Sequence, residues 1–490
     1  MPHTPGRRSP IPWRSASRRA ALAAAVSALL LGAAAPPSAT SQGIGDRLFP
    51  ELGNPGFDVI AYDIAFTYHG NDKPLDAVTT LQAEATDRLE RFNLDFAGGT
   101  VRSVTVNGLP AEYTPVKEDL AVTPAVTLPD EGHFTVTVHH TSDPRVAGSG
   151  WVPTSDGLVM ANQADAGHRV FPGNDHPSDK ARFTFRVTAP KDLTVVANGL
   201  PDGRSTRGAQ TTWAYRSPHP MATELAQVSI GRSAVARRTG PHGLPVRDVV
   251  PAADSRQVEK WTARTPAHLT WMDRKVGPYP FETYGVLLAD ASTGFELETQ
   301  TLSLFERDLF TRTDIPDWYL ESIMVHELAH QWFGDSVSPR AWSDLWLNEA
   351  HATWYEALYA EEKGGRRFTT RMRSAYEQSD TWRADGGPPA APKVPQPGRK
   401  TSIFRPNVYD GGAVVLYALR QKIGAPAFER LEREWVAGHR DSTAGTTDFV
   451  ALASQVSGQD LTQFLRAWLY EPTTPPMPGH PDWKPVSKSA

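Results

Sequence analysis

The chain has 490 residues, 40% of them hydrophobic and 14 of them tryptophan, which is too much for one ordinary core and enough for two or three domains. Its formal net charge is −5 and it contains no cysteine. Disulfides, thiolate metal sites and a lipidated N-terminal cysteine are thereby excluded, and any metal must be held by histidine and carboxylate.

The first forty residues stand apart. Arg7, Arg8, Arg14, Arg18 and Arg19 form a basic region, followed by the Ala-rich apolar stretch Ala20 to Ala35 and a small-residue segment. This pattern predicts an export signal over residues 1–40 and a secreted or extracytoplasmic protein, with a membrane anchor as the alternative. The paired arginines of "SRRAAL" are those of a twin-arginine signal, but the usual Phe is missing, so the route stays open. Removing that segment takes away five arginines and no lysine or acid, so the net charge falls from −5 to −10. Non-specific nucleic-acid binding is then excluded on charge, no membrane span is expected in the mature chain, and a monomer is the default expectation.

From about residue 45 to 240, short segments such as "VRSVTV", "ARFTFRVT" and "LTVVANG" alternate apolar with polar between Gly, Pro and Asp turns. They predict an antiparallel β domain over 41–245. Longer segments of helical spacing follow, at Asp317 to Gly334, Asp344 to Lys363, Gly412 to Ile423 and Pro426 to Gly438, so a mainly helical domain is expected over 246–475 with a tail at 476–490. "GGPPAAPKVPQPG", from Gly386 to Gly398, is too proline-rich for helix and reads as a surface loop.

Chemistry concentrates in "VHELAHQWFGDSVSPRAWSDLWLNEA", Val325 to Ala350. On a helix, His326 and His330 lie about 6 Å apart along the axis and roughly 40° around it, so both imidazoles leave one face. A catalytic zinc takes three protein ligands, and two His with one carboxylate is an established set. Glu349, nineteen positions after His330, gives the chain room to end one helix, turn and bring a carboxylate back on the next. Glu327, beside His326, is placed to take a proton from water activated by the metal. The chance occurrence of such a pattern on two ordinary helices is the competing reading. Asp344 is expected either to orient a ligand from behind or, with Ser343, to cap the second helix. His351, two residues after Glu349, should point away from the metal.

"HELAHQWFGD", with eighteen residues between His330 and the glutamate of "WLNEA", resembles the zinc aminopeptidases of the aminopeptidase N and leukotriene hydrolase family, gluzincins with one Zn²⁺ per chain. The resemblance implies an α+β multidomain fold: an N-terminal antiparallel, saddle-like β domain, then a thermolysin-like, mainly helical zinc metallopeptidase domain. It also implies further site residues. "TGFELETQT" looks like the family's exopeptidase strand, with Glu298 in place to bind the free α-ammonium of a peptide substrate. "VYDGGAVVLYALR" puts Tyr409 at the tyrosine that donates a hydrogen bond to the oxyanion. "NQADAGHRVFPGNDHPSDKARFTF" resembles the segment where the β domain reaches the cleft, making Gln163 and Asp165 partners for the substrate's amino end. Departures are Leu297 and Thr299 for the pattern's Met and Asn, "NEAHA" for N-E-G-F-A, and Gly411 for Lys; they bear on side-chain preference more than mechanism. The large helical C-terminal domain of many members is not in this sequence, so a more open cleft is expected. The implied function is hydrolysis of the N-terminal peptide bond. Its alternatives are a thermolysin-like endopeptidase, an epoxide hydrolase on the same site, or a secreted binding protein with a vestigial metal site.

Overall fold

The computed structural model describes residues 43–396 and 400–486. The export-signal reading at residues 1–40 lies outside them. No helix among the described residues is long and apolar enough to cross a membrane.

The alternating segments of the first half pair as their pattern requires. An eight-stranded sheet is built on the strand Phe57–Thr67, whose neighbours are Leu75–Ala85, antiparallel, and Ala181–Pro190, parallel. The parallel pair joins segments more than a hundred residues apart, so no hairpin signal announces it. Strand faces follow the period of two: in Ala181–Pro190 every second residue, Phe183, Phe185 and Val187 among them, is buried. A four-stranded antiparallel sheet (Trp151–Pro153, Leu158–Met160, Thr194–Ala197, Val228–Gly231) and a three-stranded one complete this half.

Another four-stranded sheet, of mixed direction, takes Ser233–Thr239 and Pro245–Pro251 from either side of residue 245 and adds Val286–Ala289 and Ser303–Glu306. The helices that follow pack around Trp332, Trp346, Leu416, Trp435 and Trp468. Helix bounds lie close to those read from spacing: Asp317–His330, Trp346–Glu362, Asp410–Ile423 and Ala425–Gly438.

Gly386 ends the helix Phe368–Gly386, and the segment from Gly387 to Gln396 is irregular, as its prolines require, but only partly a surface loop. Gly386, Gly387, Pro389, Ala390 and Pro392 are buried. Burial is possible because the backbone is satisfied: Ala390 N donates to Leu469 O, Lys393 N to Gly386 O, Asn407 Nδ2 to the carbonyls of Gly386 and Gly387, and Arg47 to Pro392 O.

The two halves are pinned together. Lys180, from the β domain, sends Nζ to the carbonyls of Asp335 (2.7 Å) and Ser336 (2.9 Å). Asp46 is held from both sides: Oδ2 accepts from Trp342 N (2.8 Å) and pairs with His176 Nε2 (3.2 Å), while Oδ1 accepts from Leu48 N and Phe49 N. Burial opposes its charge, yet these donors outweigh burial and hold its pKa at about 2.

Candidate metal centre and substrate cleft

The helix Asp317–His330 begins after Pro316, with Asp317 in its first turn where a negative charge suits the helix dipole. Leu320, Met324, Val325, Leu328 and Ala329 are all buried, so neighbours surround it on most sides. It ends because Gly334 adopts φ +135, and a β-carbon there would crowd Asn348 Nδ2 at 3.1 Å and His330 Nδ1 at 3.4 Å. The chain then reverses into Trp346–Glu362, which lies against the first helix.

This reversal brings His326, His330 and Glu349 together, with one ligand atom of each within 4.8 Å of the others. Glu349 Oε2 lies 3.6 Å from His326 Nε2 and 3.5 Å from His330 Nε2 and meets no hydrogen-bond donor. A tetrahedron with zinc–ligand bonds of about 2.0–2.1 Å has edges of about 3.3–3.4 Å, so the three donors fit one zinc ion. Each imidazole turns Nε2 inward because Nδ1 is engaged elsewhere: His330 Nδ1 with Phe333 O (3.2 Å), His326 Nδ1 with Glu356 Oε2 (3.1 Å). Electrostatics point the same way. Burial disfavours charge on both histidines, but Glu349 and Glu356 raise His326, and Glu298 and Glu349 raise His330, while the two imidazoles hold Glu349 well below the usual carboxylate range. The cluster calls for positive charge where the three donors converge.

Glu356 was not picked out from the sequence, although it lies seven residues after Glu349, two turns along the same helix face. Its Oε1 accepts from Arg371 Nη1 (2.6 Å), and Arg371 Nε reaches Asp410 Oδ1 (2.8 Å). One guanidinium thus ties the support of a metal ligand to the residue after Tyr409. Asp344 does neither of the things expected of it. The second helix has no side-chain cap, and Asp344 Oδ1 instead accepts from Thr446 N (2.9 Å) and Thr446 Oγ1 (2.7 Å), fastening the start of the later helix Thr446–Ser457. His351 points off the metal, its Nδ1 on Leu347 O and Nε2 on Glu432, with its ring stacked on Phe333 at 4.3 Å.

Glu327 is buried next to the triad. Burial raises its carboxyl, His326 and His330 oppose that, and Glu298 and Glu296 add to it. Glu298, Glu327 and His330 form a second close group, again with one atom of each within 4.8 Å. Gln163 Nε2 donates to Glu298 Oε1 at 2.7 Å, so the β domain meets the segment Thr293 to Thr301 at that carboxylate. Gln331 holds the segment from below, a role the sequence did not disclose: Nε2 donates to Glu298 O, and Oε1 accepts from Thr301 N and Tyr279 Oη. Asp165 is buried two positions beyond Gln163, outside the residues that line the cleft mouth.

Tyr409 precedes the helix Asp410–Ile423, which approaches the second ligand helix closely at Gly412; a β-carbon there would come within 2.7 Å of Ala350 Cβ. The approach lays the Tyr409 ring over His326, centroids 6.0 Å apart. Burial and the charges of Glu349, Glu298 and Glu327 push its hydroxyl well above its ordinary value, so it remains a donor. Tyr409 lines the mouth of a cavity of about 280 Å³ with Gln163, Gly294, Phe295, Glu296 and Phe404.

Comparison with known proteins gives a consistent result. The family model of the Peptidase family M1 domain matches residues 265–468. Aminopeptidase N of Streptomyces lividans is 25% identical over 414 residues, covering 80% of this chain and 48% of its own. Leucyl aminopeptidase of Saccharolobus solfataricus is 25% identical over 333 residues, covering 65% of this chain and 42% of its own. The chain spans about half the length or less of the curated relatives it matches. The crystal structure of the M1 zinc metallopeptidase from Deinococcus radiodurans superposes with a TM-score of 0.77 at 28% identity, covering 91% of this chain and 100% of that one. A mutant of it was solved with a Tyr-Ser-Ala substrate, and a two-domain M1 mutant with L-arginine. Two-domain architecture, matching domain and candidate zinc ligand set agree: residues 265–468 match the Peptidase family M1 domain, and the chain is similar in sequence and fold to zinc metallopeptidases of that family.

Proposed function

We propose that the protein is an exported, monomeric aminopeptidase that removes the first residue from peptides with a free N-terminus. The observation that carries this reading is the position of Glu298, a buried carboxylate in one group with Glu327 and His330 and oriented by Gln163. A charge there suits the α-ammonium of a substrate whose scissile bond lies at the metal, and so selects chain ends over interior sites. The Tyr-Ser-Ala substrate bound to the Deinococcus radiodurans relative supports peptides as the substrate class.

His326, His330 and Glu349 are the residues that would hold the zinc. When bound, zinc supplies a Lewis acid that polarises a carbonyl and makes water acidic enough to lose a proton near neutral pH. Glu327 accepts the proton of the attacking water and passes it to the departing amine. Tyr409 donates a hydrogen bond to the oxygen that gains charge as the carbonyl becomes tetrahedral, a contribution of about 10²- to 10³-fold for one such donor. Glu298 holds the ammonium and thereby sets the register of the first peptide bond. Export rests on the basic region Arg7 to Arg19 and the apolar stretch Ala20 to Ala35.

The test is a matched pair of substrates, an aminoacyl anilide and its N-acetyl derivative, followed by sequencing of cleaved peptides. Free ends are cleaved after the first residue, and acetylation abolishes turnover because it leaves Glu298 facing a neutral amide. Internal cleavage of acetylated peptides at comparable rates refutes the aminopeptidase reading in favour of an endopeptidase. A zinc-loaded protein inactive on every peptide refutes both.

A further inference from the structure

Two sheets face each other across a second cavity of about 540 Å³. One wall is the hairpin Leu200–Arg207 and Gln210–Met221, where Arg204 pairs across the strands with Trp213. The other is the antiparallel pair Ser233–Thr239 and Pro245–Pro251, in which Arg237 stands directly opposite Arg247. Val235, Arg237, Arg238 and Thr239 of one strand and Pro245, Val246 and Arg247 of the other line the cavity.

Four arginines and no carboxylate line this cavity, in a chain whose net charge is negative. Arg238 is neutralised by Asp248 (2.5 Å) and Glu259 (2.8 Å). The other three are not. Arg204 lies over the Trp213 ring at 4.1 Å and Arg247 over the Tyr215 ring at 5.3 Å, and neither they nor Arg237 form an ion pair among the described residues. Arg247 is 6% exposed; Nη2 donates to Ala197 O at 2.6 Å, but Nε and Nη1 meet no acceptor. Glu282, whose field reaches Arg247, makes no hydrogen bond to it. Burial pulls the Arg247 guanidinium down to about 10, with Arg237 adding to the pull, and it stays charged at neutral pH.

Like charges directly opposite each other in a sheet are destabilising, and a buried guanidinium with two unmade hydrogen bonds costs more. The repulsion is relieved if an anion with several acceptor oxygens occupies the cavity that Arg204, Arg237 and Arg247 line. We infer that this cavity is a binding site for a tetrahedral dianion, a phosphate group, carried by a molecule whose body rests against Trp213 and Tyr215. Guanidinium forks match the oxygens of a phosphate in pairs, and aromatic walls suit a flat or apolar body. The volume falls in the range of small-molecule pockets, larger than an isolated ion requires.

The test is calorimetric titration of the zinc-loaded, full-length protein with inorganic phosphate, phenyl phosphate and phenol at constant ionic strength, which removes general screening as a cause. Wild type binds both phosphates and not phenol. Arg204→Gln and Arg237→Gln, both exposed surface positions, each weaken binding about tenfold or more while leaving zinc content and peptide hydrolysis unchanged. Tighter binding of phenyl phosphate identifies a phosphorylated molecule as the ligand, whereas equal affinities identify the free ion. Without phosphate, Arg237→Gln melts no lower than wild type, since it removes one of two facing charges. No binding by wild type, binding that both variants retain, or a melting point several degrees lower in Arg237→Gln overturns the inference.

Discussion

Replacing Glu356 tests how far the metal centre depends on a residue that touches no metal. Its Oε2 accepts a hydrogen bond from His326 Nδ1 at 3.1 Å, and its Oε1 accepts one from Arg371 Nη1 at 2.6 Å. Both partners are donors, which only a carboxylate can serve at once. Glu356→Gln offers one oxygen and one NH₂: facing the oxygen to His326 sets the NH₂ against the Arg371 guanidinium, and the reverse arrangement sets it against the imidazole. Glu356→Ala removes both bonds and leaves Arg371 on Asp410 alone. Loss of such outer support typically weakens metal binding about 10- to 100-fold, which is about 1.4–2.8 kcal/mol. Gln should lie near the lower figure, since it can still orient the ring, and Ala near the upper. Zinc competition against a chelator of known affinity reads the effect directly, with circular dichroism to show that the fold is intact. Wild-type zinc affinity in Glu356→Ala would refute the reasoning, because the bond to His326 would then be shown to contribute nothing to its orientation.

Glu327→Gln should keep stoichiometric zinc by metal analysis and lose nearly all turnover, since the residue acts on protons and is not in the ligand triad; normal activity would remove it from the mechanism. Tyr409→Phe should lower kcat by about 10²- to 10³-fold with KM little changed, because the hydroxyl matters chiefly as charge develops. An effect confined to KM would contradict that role. Asp46→Asn should lower stability by about 1–3 kcal/mol near neutral pH, because both carboxylate oxygens accept from donors and the amide NH₂ must face one set of them. Because the folded-state pKa of Asp46 is depressed to about 2, its contribution is present above the ordinary carboxylate pKa and lost as pH falls toward 2. Denaturant melts of wild type and variant should therefore converge between about pH 4 and pH 2.

What could be read from the sequence was local. His326 and His330 share a face because four residues make one turn, Glu327 is adjacent, and the interval to Glu349 leaves room for a helix, a turn and a return. Strand alternation in "ARFTFRVT" is equally local, and Phe183 and Phe185 are buried as it requires. The features that escaped join distant segments. Glu356 became legible as a support only once two helices had been packed so that its carboxylate met His326. Gln331 is polar and follows a ligand, but its three partners come from residues 279, 298 and 301. Asp344 was misjudged for the same reason: its acceptor oxygen is used by Thr446, a hundred residues on, and helix geometry near Trp346 gives no sign of it. The buried first half of the proline-rich segment escaped because composition reports its conformation and not what covers it.

Under the proposed function, the contact between Gln163 and Glu298 separates two tasks that a peptidase must combine. Bond breaking belongs to the helical half, which carries the three ligands, Glu327 and Tyr409. Reading the chain end is shared, because the carboxylate that meets the amine is oriented by an amide from the β domain. Substitutions around Gln163 can therefore alter which peptide ends are accepted without disturbing the apparatus that cuts them, and the catalytic half can remain constant while its partner domain diversifies. The β domain acts in this sense as an interchangeable reader fitted to a fixed blade.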